Sequence, residues 1–185
     1  MKSIFLKHFP TAVLAVIAGI ALSGCETLIQ LQDRDVKDSN ILSATHEAAR
    51  QLIKQSKQRL EDGQLIAASF ANIDDLEKSS TFGRMIAQQI ASEFSKQGYE
   101  VVELLLRGDI YISKGEGEFL LSRNLKNLFA EHDAQAVIVG TYAVGSKKVY
   151  VTSKLVHADD SIVLASHNFD LSLGPDLRTL VYRNN

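Results

Sequence analysis

One cysteine, two prolines and no tryptophan occur in 185 residues, and aromatic residues make up only 7 %. A single thiol excludes an internal disulfide framework and any zinc site of the multi-cysteine type. Lys and Arg number 20 against 22 Asp and Glu, so no basic excess exists to neutralise a phosphate backbone, and nucleic acid is not an expected partner. Long apolar runs are also missing. The longest, Thr11 to Leu22, falls well short of the ~20 residues a spanning helix needs. Neither a Gly-x-Ser-x-Gly elbow nor a His-Glu-x-x-His pair is present.

What is present begins at the amino terminus. Lys2 and Lys7 precede Pro10, the apolar run follows, and it closes in Leu22-Ser23-Gly24-Cys25. A charged start, a short apolar stretch and small residues form the layout of a removable export signal over residues 1–24. The tetrapeptide resembles the lipobox cut by the lipoprotein signal peptidase. That resemblance implies acyl chains such as palmitate on Cys25, with Leu22, Ser23 and Gly24 as the recognition residues. An exported chain seldom keeps one unpaired cysteine, which favours lipid chemistry there. Each buried methylene contributes ~0.8 kcal/mol, so several chains anchor firmly. In Gram-negative lipoproteins an Asp after the cysteine favours inner-membrane retention. Glu26 stands here, so the resemblance implies the periplasmic face of the outer membrane. Loss of the signal takes two lysines and no acid, deepening the formal charge of −2 by two.

Residues 25–40 mix short apolar residues with Asp33, Arg34, Asp35, Lys37 and Asp38 and read as a tether. Ser39 or Asn40 caps a first helix, with Leu42, Thr45, Ala49, Leu52, Ile53, Ser56 and Leu60 on one face and Gly63 as its stop. Leu65 to Phe70 reads as a strand and Ala71 to Ser79 as a polar loop. Ser80 or Thr81 caps a second helix, whose inner face carries Phe82, Met85, Ile86, Gln89, Ile90 and Phe94, and Gly98 ends it. A strand over Tyr99 to Leu106 follows, then a Gly-rich stretch in which Asp109 to Ile112 could add an edge strand. A third helix from Ser122 places Leu121, Leu125, Leu128, Phe129 and His132 inward. Ala136 to Val144 is apolar on both alternations and so reads as a central strand. Val149 to Val156 and Val163 to Leu171 complete an antiparallel meander. Pro175 onward reads as a loose tail. The expected class is α/β (α+β): one domain over 41–174, with a mixed sheet of about five strands and two to three packed helices.

Chemistry is sparse. His46, His132, His157 and His167 fall on separate expected elements, and no spacing makes them converge on a metal. His132 reads as a structural histidine continuing the apolar face of its helix. Gly115-Glu116-Gly117-Glu118 places acids where backbone N–H groups would have to meet an anion, so it is not a phosphate cradle. Asp74 and Asp75 read as loop solubility rather than an acid pair. No catalytic residue, metal ligand or cofactor is assigned, and no enzyme is expected.

Two stretches carry more than a loop requires. Ser79-Ser80-Thr81-Phe82-Gly83-Arg84 sets a glycine in the first helical turn, at ~1 kcal/mol against Ala, which points to close packing or backbone access. In Gly117-Glu118-Phe119-Leu120-Leu121-Ser122-Arg123 an apolar triplet separates an acidic loop from a helix cap. With Ala68-Ser69-Phe70, Gly98 to Glu103, Ala136 to Tyr142 and Leu155 to Asp160, these stretches make residues 66–171 resemble the FlgO family of outer-membrane lipoproteins. The family's domain is similar to the amino-terminal domain of the TolB type. The resemblance implies a non-enzymatic role at the flagellar base, in motility or filament assembly. It also implies protein partners in the outer membrane, and leaves a homo-oligomer open. Ser80, Phe82, Gly83, Arg84, Gly117, Glu118, Phe119, Ser122 and Arg123 are the expected family-motif surface for partner contact. A second class is an envelope regulatory binder, similar to the lipoprotein activators of peptidoglycan synthases that carry a TolB-like domain. Those usually have a long tether, whereas residues 26–40 span at most ~50 Å at ~3.3–3.6 Å per residue.

Overall fold

The computed structural model describes residues 36–60, 63–104 and 129–183, with the backbone alone for residues 77–79. The chain divides into two units, Met1–Val36 and Lys37–Asn185, and every regular element among the described residues belongs to the second. The expected signal segment, Cys25, the 109–112 strand and the 117–123 motif lie outside the described residues.

Strand β5 (Ala134–Val144) is the spine. On one side it pairs in parallel with β1 (Gln64–Ala68) and then, farther along, with β2 (Ala71–Asn72). On the other side it pairs antiparallel with β6 (Lys148–His157), which pairs antiparallel with β7 (Val163–Ser172). Strand β4 (Val101–Leu104) lies parallel on the far side of β1, and β3 (Asp75–Ser79) turns back on β2. The expected central strand and antiparallel meander are present, in a mixed sheet that has seven strands among the described residues. The stretch read as a polar loop, 71–79, is instead the β2–β3 hairpin. Its tip is an Asx turn in which the Asp74 amide donates to Asn72 Oδ1 at 3.0 Å. The apolar count there is too low to show a strand by pattern, and pairing to β5 supplies what the pattern lacks.

Side chains on alternate positions of β5 enter two cores. Ala136, Ile138 and Tyr142 join Leu65, Ala67, Phe70 and the helices, while Val137 and Val139 join Ile66, Ala68, Phe129 and Val156. Helix α1 (Ile41–Ser56) is capped by Asn40, whose Oδ1 accepts from the Ser43 amide at 3.0 Å. It buries Thr45, Ala48, Ala49, Leu52 and Ser56 against α2 (Thr81–Lys96) and β7. Leu42, expected inside, is exposed, and Ala48, outside the expected face, is buried. The helix stops at Ser56, ahead of Gly63, where a turn forms with Leu60 N donating to Ser56 O at 3.0 Å. Helix α2 ends in a Schellman cap: Gly98 at φ 93° lets its own amide reach Ser95 O and the Tyr99 amide reach Phe94 O, with the Phe94 and Tyr99 rings 5.5 Å apart.

Two boundaries differ from the sequence reading. The stretch read as a loose tail carries helix α3 (Pro175–Tyr182), because Pro175 presets the first turn and Leu177 and Val181, one turn apart, bury. The last residues read as tether belong to the domain. Asp38 accepts from the Asp176 and Leu177 amides, both at 3.0 Å, and so caps a helix whose own Gly174 has no side chain to do it. Ser39 Oγ accepts from Ser172 N at 2.8 Å.

The outer edge of β7 is partly closed by side chains. Gln55 donates to Ser166 O and accepts from Ser166 N, at 3.1 and 3.3 Å, standing in for a neighbouring strand. An unprotected edge invites pairing with other chains. Gln55 and Ser39 together occupy this one at Ser166 and at its last residue, Ser172.

Asp38→Ala removes both acceptors from the start of α3. Stability should fall by ~1 kcal/mol, a loss of roughly 2–4 °C in Tm for a domain of this size. Thermal unfolding read by circular dichroism, with faster amide exchange at Asp176 and Leu177, checks it.

Candidate functional site

The motif at the start of α2 is built around Phe70. The chain leaves β1 at Ala68, and Phe70 crosses to β2 with its backbone against the first turn of α2. Its amide donates to Gly83 O at 3.2 Å, and a Cβ on Gly83 would lie 2.1 Å from Phe70 O. The ring covers Gly140 of β5, where a Cβ would lie 2.1 Å from Phe70 Cε2. Two glycines on separate elements thus leave the space that one phenylalanine fills. Ser80 caps α2 by accepting from the Gly83 amide at 3.1 Å, and the same Oγ accepts from the Tyr142 hydroxyl at 2.8 Å. Phe82 meets the Tyr142 ring edge-on, with centroids 5.1 Å apart. Burial pushes the Tyr142 phenol up, against the Ser80 hydrogen bond that lowers it.

This geometry corrects the expected surface. Ser80, Phe82 and Gly83 are buried, with Phe82 wholly enclosed. They form a packing joint, because a helix that approaches the backbone of the β1–β2 connection this closely has no room left for a partner. Arg84 alone of the four is part-exposed, its guanidinium donating to Thr81 Oγ1 at 3.2 Å. Gly117, Glu118, Phe119, Ser122 and Arg123 lie outside the described residues.

A cleft of about 510 Å³ opens at the amino ends of β1, β4 and β5, lined by Gly63, Gln64, Tyr99, Glu100, His132 and Gln135 among others. Gln135 Nε2 donates to Gly63 O at 2.7 Å and Gln64 Nε2 to Glu100 Oε2 at 3.4 Å, which ties the rim together. His132 therefore faces a polar cleft and is only part-buried, where the sequence placed it on an apolar helix face. The helical residues there stop at 132, and Asp133 at φ 47° turns the chain into β5, so His132 stands at the end of the sheet. The cleft is polar and open, suited to hydrogen bonding with another surface. Among the described residues no three His, Cys, Asp or Glu side chains converge as a metal site.

The other histidines stay apart. His46 Nδ1 is 3.5 Å from Glu93, His157 Nδ1 is 3.0 Å from Asp160, and His167 stacks on Phe169. Asp160 Oδ1 accepts from the Ile162 amide at 3.0 Å, and that bond, aided by His157, holds its carboxyl below the usual range. Glu93 was not singled out by sequence. Its side chain is 8 % exposed between the helices, with His46, Arg50 and Lys96 nitrogens within 3.7 Å. The signal for it was available: Glu93 lies one turn past Gln89 on the face of α2 that meets α1.

A family model described as FlgO protein matches residues 46–175. The chain belongs to the FlgO family. The FlgO match runs from α1 to the first residue of α3, so it takes in the Phe70 joint and the cleft but not Asp38. No curated protein matches the FlgO chain described here. In fold it is similar to the LpoB C-terminal domain from Salmonella enterica, at 10 % identity and TM-score 0.50, over 71 % of this chain and 98 % of that one. The LpoB C-terminal domain from Escherichia coli is also similar, at 8 % identity and TM-score 0.48, over 71 % and 98 %.

Gly83→Ala should cost ~1–3 kcal/mol or more, because a backbone carbonyl cannot move aside as a side chain would. Tyr142→Phe should cost only ~1 kcal/mol, since it keeps the ring and loses one hydrogen bond. Urea unfolding of the two variants measures the contrast. Asp160 has a depressed carboxyl, so its contribution is present above the unfolded-state pKa and is lost as pH falls through the folded one. Amide exchange at Ile162, corrected for intrinsic rate, should lose protection across that acidic window and keep it in Asp160→Asn less completely at neutral pH.

Proposed function

We propose that the protein is a non-enzymatic lipoprotein of the outer membrane, held by acyl chains on Cys25, that acts through protein contacts at the flagellar base. The observation that carries this is the FlgO match over residues 46–175, downstream of Leu22-Ser23-Gly24-Cys25. The distribution of polar groups supports it: the histidines stand on separate elements, and the buried motif residues serve packing. No helix among the described residues is long and apolar enough to cross a membrane, so attachment through lipid fits this domain.

A second reading is an envelope regulatory binder of the kind that activates peptidoglycan synthases. The fold likeness to the LpoB C-terminal domain favours it. Against it stands the short reach between Cys25 and the domain, shortened further because Asp38 is bound to α3 and Ser39 to β7.

Deleting the gene should abolish or sharply reduce swimming, with basal-body rings altered in electron micrographs. Normal swimming with intact rings would remove the flagellar role, and recovery of a glycan-building enzyme with the purified protein would favour the second reading. Cys25→Ser should end incorporation of labelled palmitate and move the protein from the membrane to the soluble fraction. Retention of label in that variant would refute attachment at this thiol.

A further inference from the structure

The tether joins the domain at one pole. Lys37 precedes Asp38, which is bound to α3, and α3 closes that end of the sheet. The β5–β6 turn is there, with Leu173 N donating to Lys147 O at 2.8 Å, and so is the β2–β3 tip, with Ile73 N donating to Tyr142 O at 2.9 Å. Helix α3 crosses the pole with Leu177 and Val181 inward, and its far end meets α2 where Thr81 N donates to Arg183 O at 3.3 Å. The cleft rimmed by Glu100 and Gln135 is at the opposite pole, about 35 Å away, because β5 runs 11 residues at ~3.3 Å each.

The two poles differ in what they expose. At the tether pole Leu42 and Ile73 are each 51 % exposed and Tyr182 is 64 % exposed. Exposed cations, Lys37, Lys147 and Arg183, stand around them, interspersed with the acids Asp74 and Asp176. At the far pole Ile162 and Val163 are exposed beside Asp159 and Asp160, and the exposed cations Lys57, Arg59 and Lys96 stand at the ends of α1 and α2 rather than in that turn. Apolar side chains with a tyrosine and flanking Lys or Arg match a phospholipid surface, where rings and stems enter the headgroup layer and cations meet phosphate.

We propose that the tether pole rests on the phospholipid surface, with Leu42, Ile73 and Tyr182 in the headgroup layer and the polar cleft turned away from it. This rests on the reading that Cys25 is acylated. From Cys25 to Lys37 the chain reaches at most about 40 Å, so the pole is confined near the bilayer and a weak surface affinity is enough to orient it.

The test uses the mature lipidated protein in vesicles of phosphatidylethanolamine and phosphatidylglycerol carrying a trace of photoactivatable phospholipid, with adducts mapped by mass spectrometry. Peptides containing Leu42, Ile73 and Tyr182 should carry several-fold more adduct than those containing Glu100 or Ile162. Combining Ile73→Glu with Tyr182→Glu should cut pole adducts several-fold while those on residues 25–36 persist. Both sites are exposed, and an unchanged thermal midpoint confirms that the variant is folded. Acylated protein whose adducts are confined to residues 25–36, or that gathers them at the Ile162 pole, overturns the docking alone. So does a pole that a purified protein partner shields in place of lipid. An intact mass with a free Cys25 thiol sinks the anchored reading and the orientation with it.

Discussion

The approach of α2 to the sheet at Phe70 is the constraint on which the other contacts depend. A helix axis ordinarily stands off a sheet by the length of the side chains between them. Here Gly83 lets its own carbonyl accept from the Phe70 amide in the β1–β2 connection, and Gly140 clears the space for the Phe70 ring. That single contact breaks the line between β1 and β2, so that both can pair with the same side of β5. It also sets Ser80 where one hydroxyl serves the helix cap and Tyr142 together. Interiors packed at this density respond to one added carbon.

From that joint the two cores follow. Strand β5 is buried on both faces, which is why its apolar residues run without alternation. The helical face is closed by α1 and α2 along a seam that is polar in part: Thr45 Oγ1 donates to Gln89 Oε1 at 2.8 Å, and Glu93 sits among three cationic or titratable neighbours. Such groups add orientation between helices more than raw stability, since their gain is offset by desolvation. The ends of the chain then hold each other. Asp38 caps α3, and Thr81 Oγ1 donates to Arg183 O at 3.3 Å, so the first and last described segments close the same pole.

The functional consequence is a division between a packed motif and open poles. Residues that carry the family pattern at 80–83 are consumed by the fold, and a partner has to be met elsewhere. Arg84, the cleft at the amino ends of the parallel strands and the cation-flanked apolar pole are among the surfaces that stay open in the described residues.

By itself the sequence determined the periodic parts. Helix α2 with its Ser80 cap and Gly98 stop, the central β5 and the β5–β6–β7 meander were legible because burial repeats at 3.6 or 2 residues and caps have few alternatives. Gly83 was legible as a demand for close approach, though not whose carbonyl approached it. Tertiary structure alone decided the rest. The 71–79 hairpin takes its strands from pairing to β5, Glu93 becomes buried only when α1 lies on α2, and Ser80, Phe82 and Gly83 turn inward because Phe70, distant from Gly140 in sequence, is placed between them. Helix α3 was half legible, in Pro175 and the Leu177–Val181 spacing, but its missing cap comes from Asp38 at the other end of the chain. Local pattern records which side of an element is apolar; which distant group satisfies an open backbone amide is known only once the chain has folded back on itself.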